Sequence, residues 1–276
     1  MHNLIPYSGN VFALYEEDVD RKENGDAKER LVKAKNVIRA YYAEFDKHFS
    51  SRTLRSIAPG RIAAPLSGDL YDMYSFEAAI VKKVKTWLKA NNPVRVYGIC
   101  QFCGLKQFDT MDHILPHKQY VEYSVHARNL IPCCTDCNRK KSEREVLNLY
   151  QDILPSVEYL IMDVVPNGDT IDFTFRLDNS KNLVPAALFD KIYDHFDKLD
   201  LYAKMRIQAT TQLARVVVQI NTQYGRYGKD AVVEAVNEEL DGLRTAYGYN
   251  SWEVAFKKGL INSPVFWEYY SKGLLR

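Results

Sequence analysis

Two Cys-x-x-Cys pairs, Cys100/Cys103 and Cys134/Cys137, are separated by thirty residues. Four thiolates suit a tetrahedral zinc ion with no open position, an arrangement that favours a structural role over a catalytic one. The interval exceeds the ~15–20 residues of an ordinary zinc ribbon, so the ion is expected to clamp the ends of a loop that carries something else. All five cysteines of the chain fall between positions 100 and 137. In a reducing compartment such clustering reads as metal ligation, not disulfide pairing. Cys133 is the spare: a buried free thiol suits its place before the second pair, with Cys133-x-x-x-Cys137 as the alternative pairing.

Inside the loop stand Asp112-His113-Ile114-Leu115-Pro116, then Asn129-Leu130, and Asn138 directly after Cys137. Residues 108–115 read as a short strand that ends at Pro116, with 129–133 as its returning partner. A helix is expected to start near Cys137 and run through Arg144. The chemistry this set would suit is phosphodiester hydrolysis, which needs an activated water, a cation on the phosphate and help for the leaving oxygen. His113 fits the general base, since an imidazole of pKa ~6.5 abstracts protons near neutrality, and a rate limb between about pH 6 and 8 is expected from it. Asp112 and Asn138 offer oxygen to a hard divalent ion and leave room for waters and a phosphate, as Mg²⁺ prefers. Asn129 reads as an orienter, bonding backbone across the hairpin or steering the histidine ring. Arg139, Lys140, Lys141 and Arg144 would lie near phosphates.

The segment Cys-x-x-Cys, Asp-His-x-x-Pro, Asn-Leu-x-x-apolar-Cys-x-x-Cys-Asn-x-x-Lys, spanning about residues 100–141, resembles the HNH, or ββα-metal, nuclease family. The resemblance implies His113 as general base, Asn129 as the central asparagine, Asn138 at the third motif position, Asp112 as metal ligand and Lys141 as the basic residue one turn on. The third position is Asn where many members have His, as in phage junction-resolving endonucleases. Two oxygen ligands and no imidazole favour Mg²⁺ or Mn²⁺ over Zn²⁺ or Ni²⁺ at the catalytic position. Residues 117–128 contain no glycine, where many members carry one or two, so the course of that connection does not follow from the motif. The implied activity is DNA cleavage that leaves a 5′-phosphate. With one such site per chain, cutting both strands calls for a homodimer or two sequential nicks. Proteins of this size with helical flanks are also similar to nuclease halves of bacterial anti-phage systems, in which an ATPase is a separate chain. That likeness implies a regulatory ATPase partner, since no GxxxxGK loop occurs here. The competing reading is a non-catalytic, zinc-stapled module that binds nucleic acid or protein. An RNA-binding role finds no aromatic recognition motif.

These residues need a scaffold, and the rest of the chain reads as one. Apolar positions from Leu31 to Phe49 recur at helical spacing over 26–49, and Phe76, Ile80, Val84, Trp87 and Leu88 mark a second helix over 75–90. Residues 157–165 and 170–175 alternate about Pro166-Asn167-Gly168-Asp169, a hairpin signal. Further helices are expected over 186–199, 203–224, 229–247, 252–260 and 264–274. The expectation is an α+β, mainly helical protein: a helical region 1–93, the zinc-stapled ββα unit 94–150, and a hairpin plus helices over 151–276. Lys82, Lys83, Lys85 and Lys89 read as a solvated helix face. His117 and His126 read as surface histidines or phosphate contacts, with His117 close to His113.

Across 276 residues, 46% hydrophobic and 26% charged, the net charge is only +2. The chain is no polycation, and any nucleic-acid surface must be a local patch. No apolar run approaches the ~20 residues of a bilayer span, and the first residues lack a signal-peptide pattern, so a cytoplasmic protein is expected. Strong chelation should unfold the central unit, because structural zinc binding is folding free energy, about 10–16 kcal/mol in zinc-finger peptides. A melting curve and circular dichroism unchanged by zinc removal would eliminate the clamp.

Overall fold

The computed structural model describes residues 1–93 and 97–275; the expected start of the central unit at Val94 lies outside them. The architecture is α+β and mainly helical, as expected. Helices α1 (Val11–Arg21), α2 (Asp26–Lys33), α3 (Lys35–Ser50), α4 (Leu66–Tyr71) and α5 (Ala79–Asn91) precede the central hairpin of β1 (Thr110–His113) and β2 (Leu130–Cys133). Helix α6 (Thr135–Lys141) completes that unit. Then come the hairpin β3 (Leu160–Asn167) and β4 (Thr170–Leu177) and helices α7 (Ala186–Leu199), α8 (Leu201–Tyr247), α9 (Trp252–Asn262) and α10 (Pro264–Ser271).

The stretch expected to be one helix over 26–49 is realised as α2 and α3, which meet at Ala34. Leu31, Ile38, Tyr42 and Phe45 still share the buried face. Arg30 ties α2 to α4, its Nε and Nη2 bonding the Asp69 carboxylate at 2.6 and 2.9 Å. Helix α5 starts at Ala79, later than the expected 75. It ends where two asparagines reach back to its open carbonyls, Asn91 to Trp87 O at 2.8 Å and Asn92 to Leu88 O at 3.0 Å. Its lysines remain at the surface, Lys82 paired with Glu77 and Lys83 with Glu17.

The second hairpin tightens the turn that the sequence suggests. Strands pair in antiparallel register from Leu160↔Leu177 to Asn167↔Thr170, which leaves Gly168 and Asp169 as a two-residue connection with Gly168 at φ 59°. Leu160, Met162, Val164, Ile171, Phe173 and Phe175 point to the buried face, where α9 lies. A Cβ on Gly259 of α9 would come 2.4 Å from Met162 O, so the helix approaches the sheet this closely only with glycine there. The two helices expected over 203–224 and 229–247 run on as α8, interrupted by a single non-helical residue, Gly228.

The N-terminal segment threads between these parts. Leu4 N bonds Leu149 O at 3.1 Å, Ile5 N bonds Asn92 Oδ1 at 2.8 Å, and Arg128 Nε bonds Tyr7 O at 2.8 Å. Two histidines also join distant segments. His195 of α7 bridges Phe102 O at 2.7 Å and Leu147 N at 3.3 Å. Because the carbonyl only accepts and the amide only donates, the ring is neutral with its proton on Nε2. His126, expected at the surface, is fully buried. It packs 4.0 Å from Phe45 and 4.6 Å from Tyr42 between ring centroids, with Nε2 3.4 Å from Asp46 Oδ1. A local pattern reports helix faces, but not which loop residue α3 will cover.

Burial pulls His195 down to about 4 and lowers His126 as well. An unfolded histidine titrates near ~6.5, so as pH falls from there towards 4 the unfolded chain takes up protons that the folded chain refuses. Stability is therefore full above about pH 6.5 and falls with acid. Melting temperatures between pH 7.5 and 4.5 should decline, and His195→Gln should lower the neutral value while flattening the decline. An unaltered slope in that variant would contradict a neutral, buried His195.

Candidate active site and zinc centre

The ββα unit is too small to hold itself. Strands of four residues make a marginal hairpin, and its ends are gathered by cysteines. The Sγ atoms of Cys100, Cys103, Cys134 and Cys137 all lie within 4.8 Å of one another, and all four residues are buried. No disulfide joins them. A tetrahedral zinc with Zn–S bonds of about 2.3 Å sets its sulfurs about 3.8 Å apart, so the cluster fits a zinc site. Leu105 N bonds Cys103 Sγ at 3.5 Å and Lys204 Nζ bonds Cys137 Sγ at 3.3 Å; both donors favour the thiolate form. Cys133 is buried outside the cluster, and burial pushes its thiol up.

Backbone bonds carry the clamp into the hairpin. Gln101 N bonds Pro132 O at 3.1 Å and Asp109 N bonds Cys133 O at 3.2 Å. Register sets Asp112 opposite Ile131 and His113 opposite Leu130. Helix α6 begins where Asp109 Oδ1 accepts from Thr135 N at 2.6 Å and from its hydroxyl at 3.0 Å. It stops at Lys141, short of the expected Arg144, because Ser142 takes φ 51°.

Asn129 is fully buried and bonds backbone across the unit. Its Oδ1 accepts from Leu115 N at 2.7 Å, and its Nδ2 donates to Leu115 O at 3.3 Å and Tyr123 O at 3.2 Å. Of the two orienting roles open in the sequence, this geometry is the backbone one. The glycine-free connection 117–128 is turned by two short 3₁₀ segments, Val121–Tyr123 and Ala127–Asn129. The first presents Ser124 O to His113 Nε2 at 2.8 Å. A carbonyl cannot donate, so Nε2 carries the proton and Nδ1 holds the lone pair of a neutral ring. Burial pulls His113 to about 3. The rate limb expected between pH 6 and 8 therefore does not come from this histidine, which is already a free base throughout that range.

Asp112, His113 and Asn138 line one cleft of about 280 Å³, together with Tyr71, Tyr74 and His117. Burial raises the Asp112 carboxyl, against the pull of the Lys141 ammonium 2.9 Å from its Oδ2. Lys141 is itself buried and also bonds His113 O at 2.9 Å, so it ties the end of α6 to the end of β1. A desolvated carboxylate beside an amide and an open cleft is a donor set for a hard cation that keeps part of its water. The other basic residues lie elsewhere. Lys140 pairs with Asp200 at 2.6 Å, Arg144 Nη2 bonds Lys198 O at 2.8 Å, and Arg139 is exposed, 3.7 Å from Asp136. Tyr71 and Tyr74 come from the α4 region, about forty residues upstream, and no local spacing marks them as cleft residues.

Residues 100–144 match the family model described as HNH endonuclease. Protein ea31 of Escherichia phage lambda is 29% identical over 151 residues, covering 48% of this chain and 51% of the relative. The chain thus spans about half the length of the curated relative it matches. No solved structure matches it. Among the described residues, no helix is long and apolar enough to cross a membrane.

Replacing Asn129 tests the scaffold apart from the chemistry. Asn129→Ala strands the buried Leu115 amide and carbonyl and removes one of two bonds to Tyr123 O, and should cost about 2–4 kcal/mol of stability by denaturant titration. Asn129→Asp keeps the acceptor but sets a buried carboxylate oxygen against the carbonyls of Leu115 and Tyr123, and at neutral pH should cost at least as much as Asn129→Ala.

Proposed function

We propose that the HNH domain at 100–144 makes this chain a metal-dependent endonuclease that hydrolyses DNA phosphodiester bonds. The observation that carries the reading is His113: a neutral, tautomer-fixed imidazole in the same cleft as Asp112 and Asn138. Nδ1 takes a proton from the attacking water while Nε2 stays bonded to Ser124 O, so the proton that arrives completes an imidazolium against a fixed carbonyl. Asp112 and Asn138 would hold one Mg²⁺ or Mn²⁺. When bound, that ion supplies charge for the phosphate and the departing oxygen. Lys141 keeps the Asp112 carboxylate ionised and aligned through its ion pair. Asn129 holds the strand end from which His113 projects. Arg139, exposed and held only by a 3.7 Å contact with Asp136, is well disposed to meet a phosphate. A zinc ion held by the four cysteines would have no open position and so would take no direct part in the chemistry.

Purified protein and supercoiled plasmid, with Mg²⁺, Mn²⁺ or EDTA, provide the test. Nicked or linear product should require the metal, and His113→Ala should lower the rate by about 10²–10⁴-fold, the range for a general base. DNA binding that ignores both the metal and the mutation, with no product, would instead mark a non-catalytic module.

A further inference from the structure

Three rings form a column at the wall of the cleft. Tyr71 stacks on His117 with centroids 4.1 Å apart and planes 5° apart. His117 stacks in turn on His113, at 4.4 Å and 5°. Tyr74 closes the side of the column and meets both histidines edge-on, at 4.5 Å for His113 and 5.4 Å for His117, each at 72°. The Tyr74 hydroxyl donates to the carbonyl of Met111, the residue before Asp112.

A general base must present its lone pair within roughly 10–20° of the productive direction. The bond from Nε2 to Ser124 O fixes one point of the His113 ring and its tautomer. A single bond leaves the ring free to swing about that point. A parallel ring packed on its face removes this freedom, and the edge of Tyr74 removes it on the side. We propose that His117, itself held by Tyr71, is the positioning residue that sets the plane of His113. This inference rests on the nuclease reading, and it makes α4 and the turn after it part of the catalytic unit.

Two observations separate this role from a polar one. His117 Nε2 is buried without a hydrogen-bond partner among the described residues, and the ring bonds the backbone of Tyr71. Burial also lowers its affinity for a proton. A neutral imidazole carries no charge to neutralise a phosphate and no acidic proton for a leaving oxygen. What it offers His113 is a flat face. The scaffold behind it is shared: Arg30–Asp69 anchors α4 to α2, and α4 packs on the 121–123 turn that leads to Ser124. The stack and the carbonyl are thus held by one body.

The test compares His117→Ala, His117→Phe and His117→Gln in the full chain, with zinc bound and melting curves recorded. In plasmid cleavage, His117→Ala should lower kcat by about 10–100-fold with KM within a few-fold, since misplacing a catalytic group by ~1 Å costs about that much. His117→Phe keeps a flat ring and no proton chemistry, and should recover most of the rate; His117→Gln should not. Tyr71→Ala should resemble a weaker His117→Ala, and Tyr71→Phe should resemble the wild type. An effect on KM alone, or rescue by Gln and not Phe, overturns the proposal in favour of a substrate contact. Histidine side-chain NMR gives a readout free of turnover. His113 should keep its Nε2–H tautomer in every variant, because Ser124 O fixes it, and should give one narrow set of ring signals in the wild type and in His117→Phe that broadens or splits in His117→Ala. His113 signals indifferent to His117→Ala would refute the positioning role. Absence of metal-dependent cleavage in the wild type would instead refute the nuclease reading, and leaves the NMR comparison to judge the stack.

Discussion

The central unit depends on closure of a loop by four sulfur atoms. Its hairpin has four residues per strand, and its helix has two turns. Neither buries enough apolar surface to offset the entropy of ordering the thirty residues between the cysteine pairs. Drawing Cys100, Cys103, Cys134 and Cys137 to within 4.8 Å of one another brings both ends of that loop to one point. The β1–β2 register, and with it the places of Asp112 and His113, follows from that closure. A zinc ion held by this cluster would therefore be an element of the fold, and the shape of the candidate site its consequence.

Closure alone would leave the loop poorly defined, and buried polar side chains supply the remaining constraints. Asn129, Lys141 and His195 are each buried, and each bonds backbone atoms from other segments. Such groups stabilise only when satisfied, and an unsatisfied one is costly, so each admits few arrangements of its neighbours. Asn129 joins Leu115 to Tyr123, Lys141 joins α6 to β1, and His195 joins the first cysteine pair to residue 147. These side chains convert a collapsed loop into a single arrangement around the cleft.

The flanks contribute more than a frame. Tyr71 and Tyr74 reach the cleft from before the cysteine unit, α3 covers His126, and Lys204 of α8 touches a cysteine sulfur. The same packing that removes His113 from water leaves it neutral.

The sequence by itself determined the elements and the donor set. Helical and alternating periodicities located most helices and the second hairpin, though not α1 or α4, because a helix face and a strand face are properties of local backbone geometry. The order of cysteines, Asp112, His113, Asn129 and Asn138 defined the candidate chemistry, because side-chain type decides what can ligate or abstract. Only the tertiary structure decided the state of those groups. That Nε2 and not Nδ1 of His113 carries the proton follows from a carbonyl eleven residues away. That Lys141 is an ion-pair partner of Asp112, that His117 stacks, and that His126 is core follow from packing between segments distant in the chain. Burial and hydrogen bonding are properties of the assembled molecule, and protonation and orientation follow them, so no spacing of residues along the chain encodes either one.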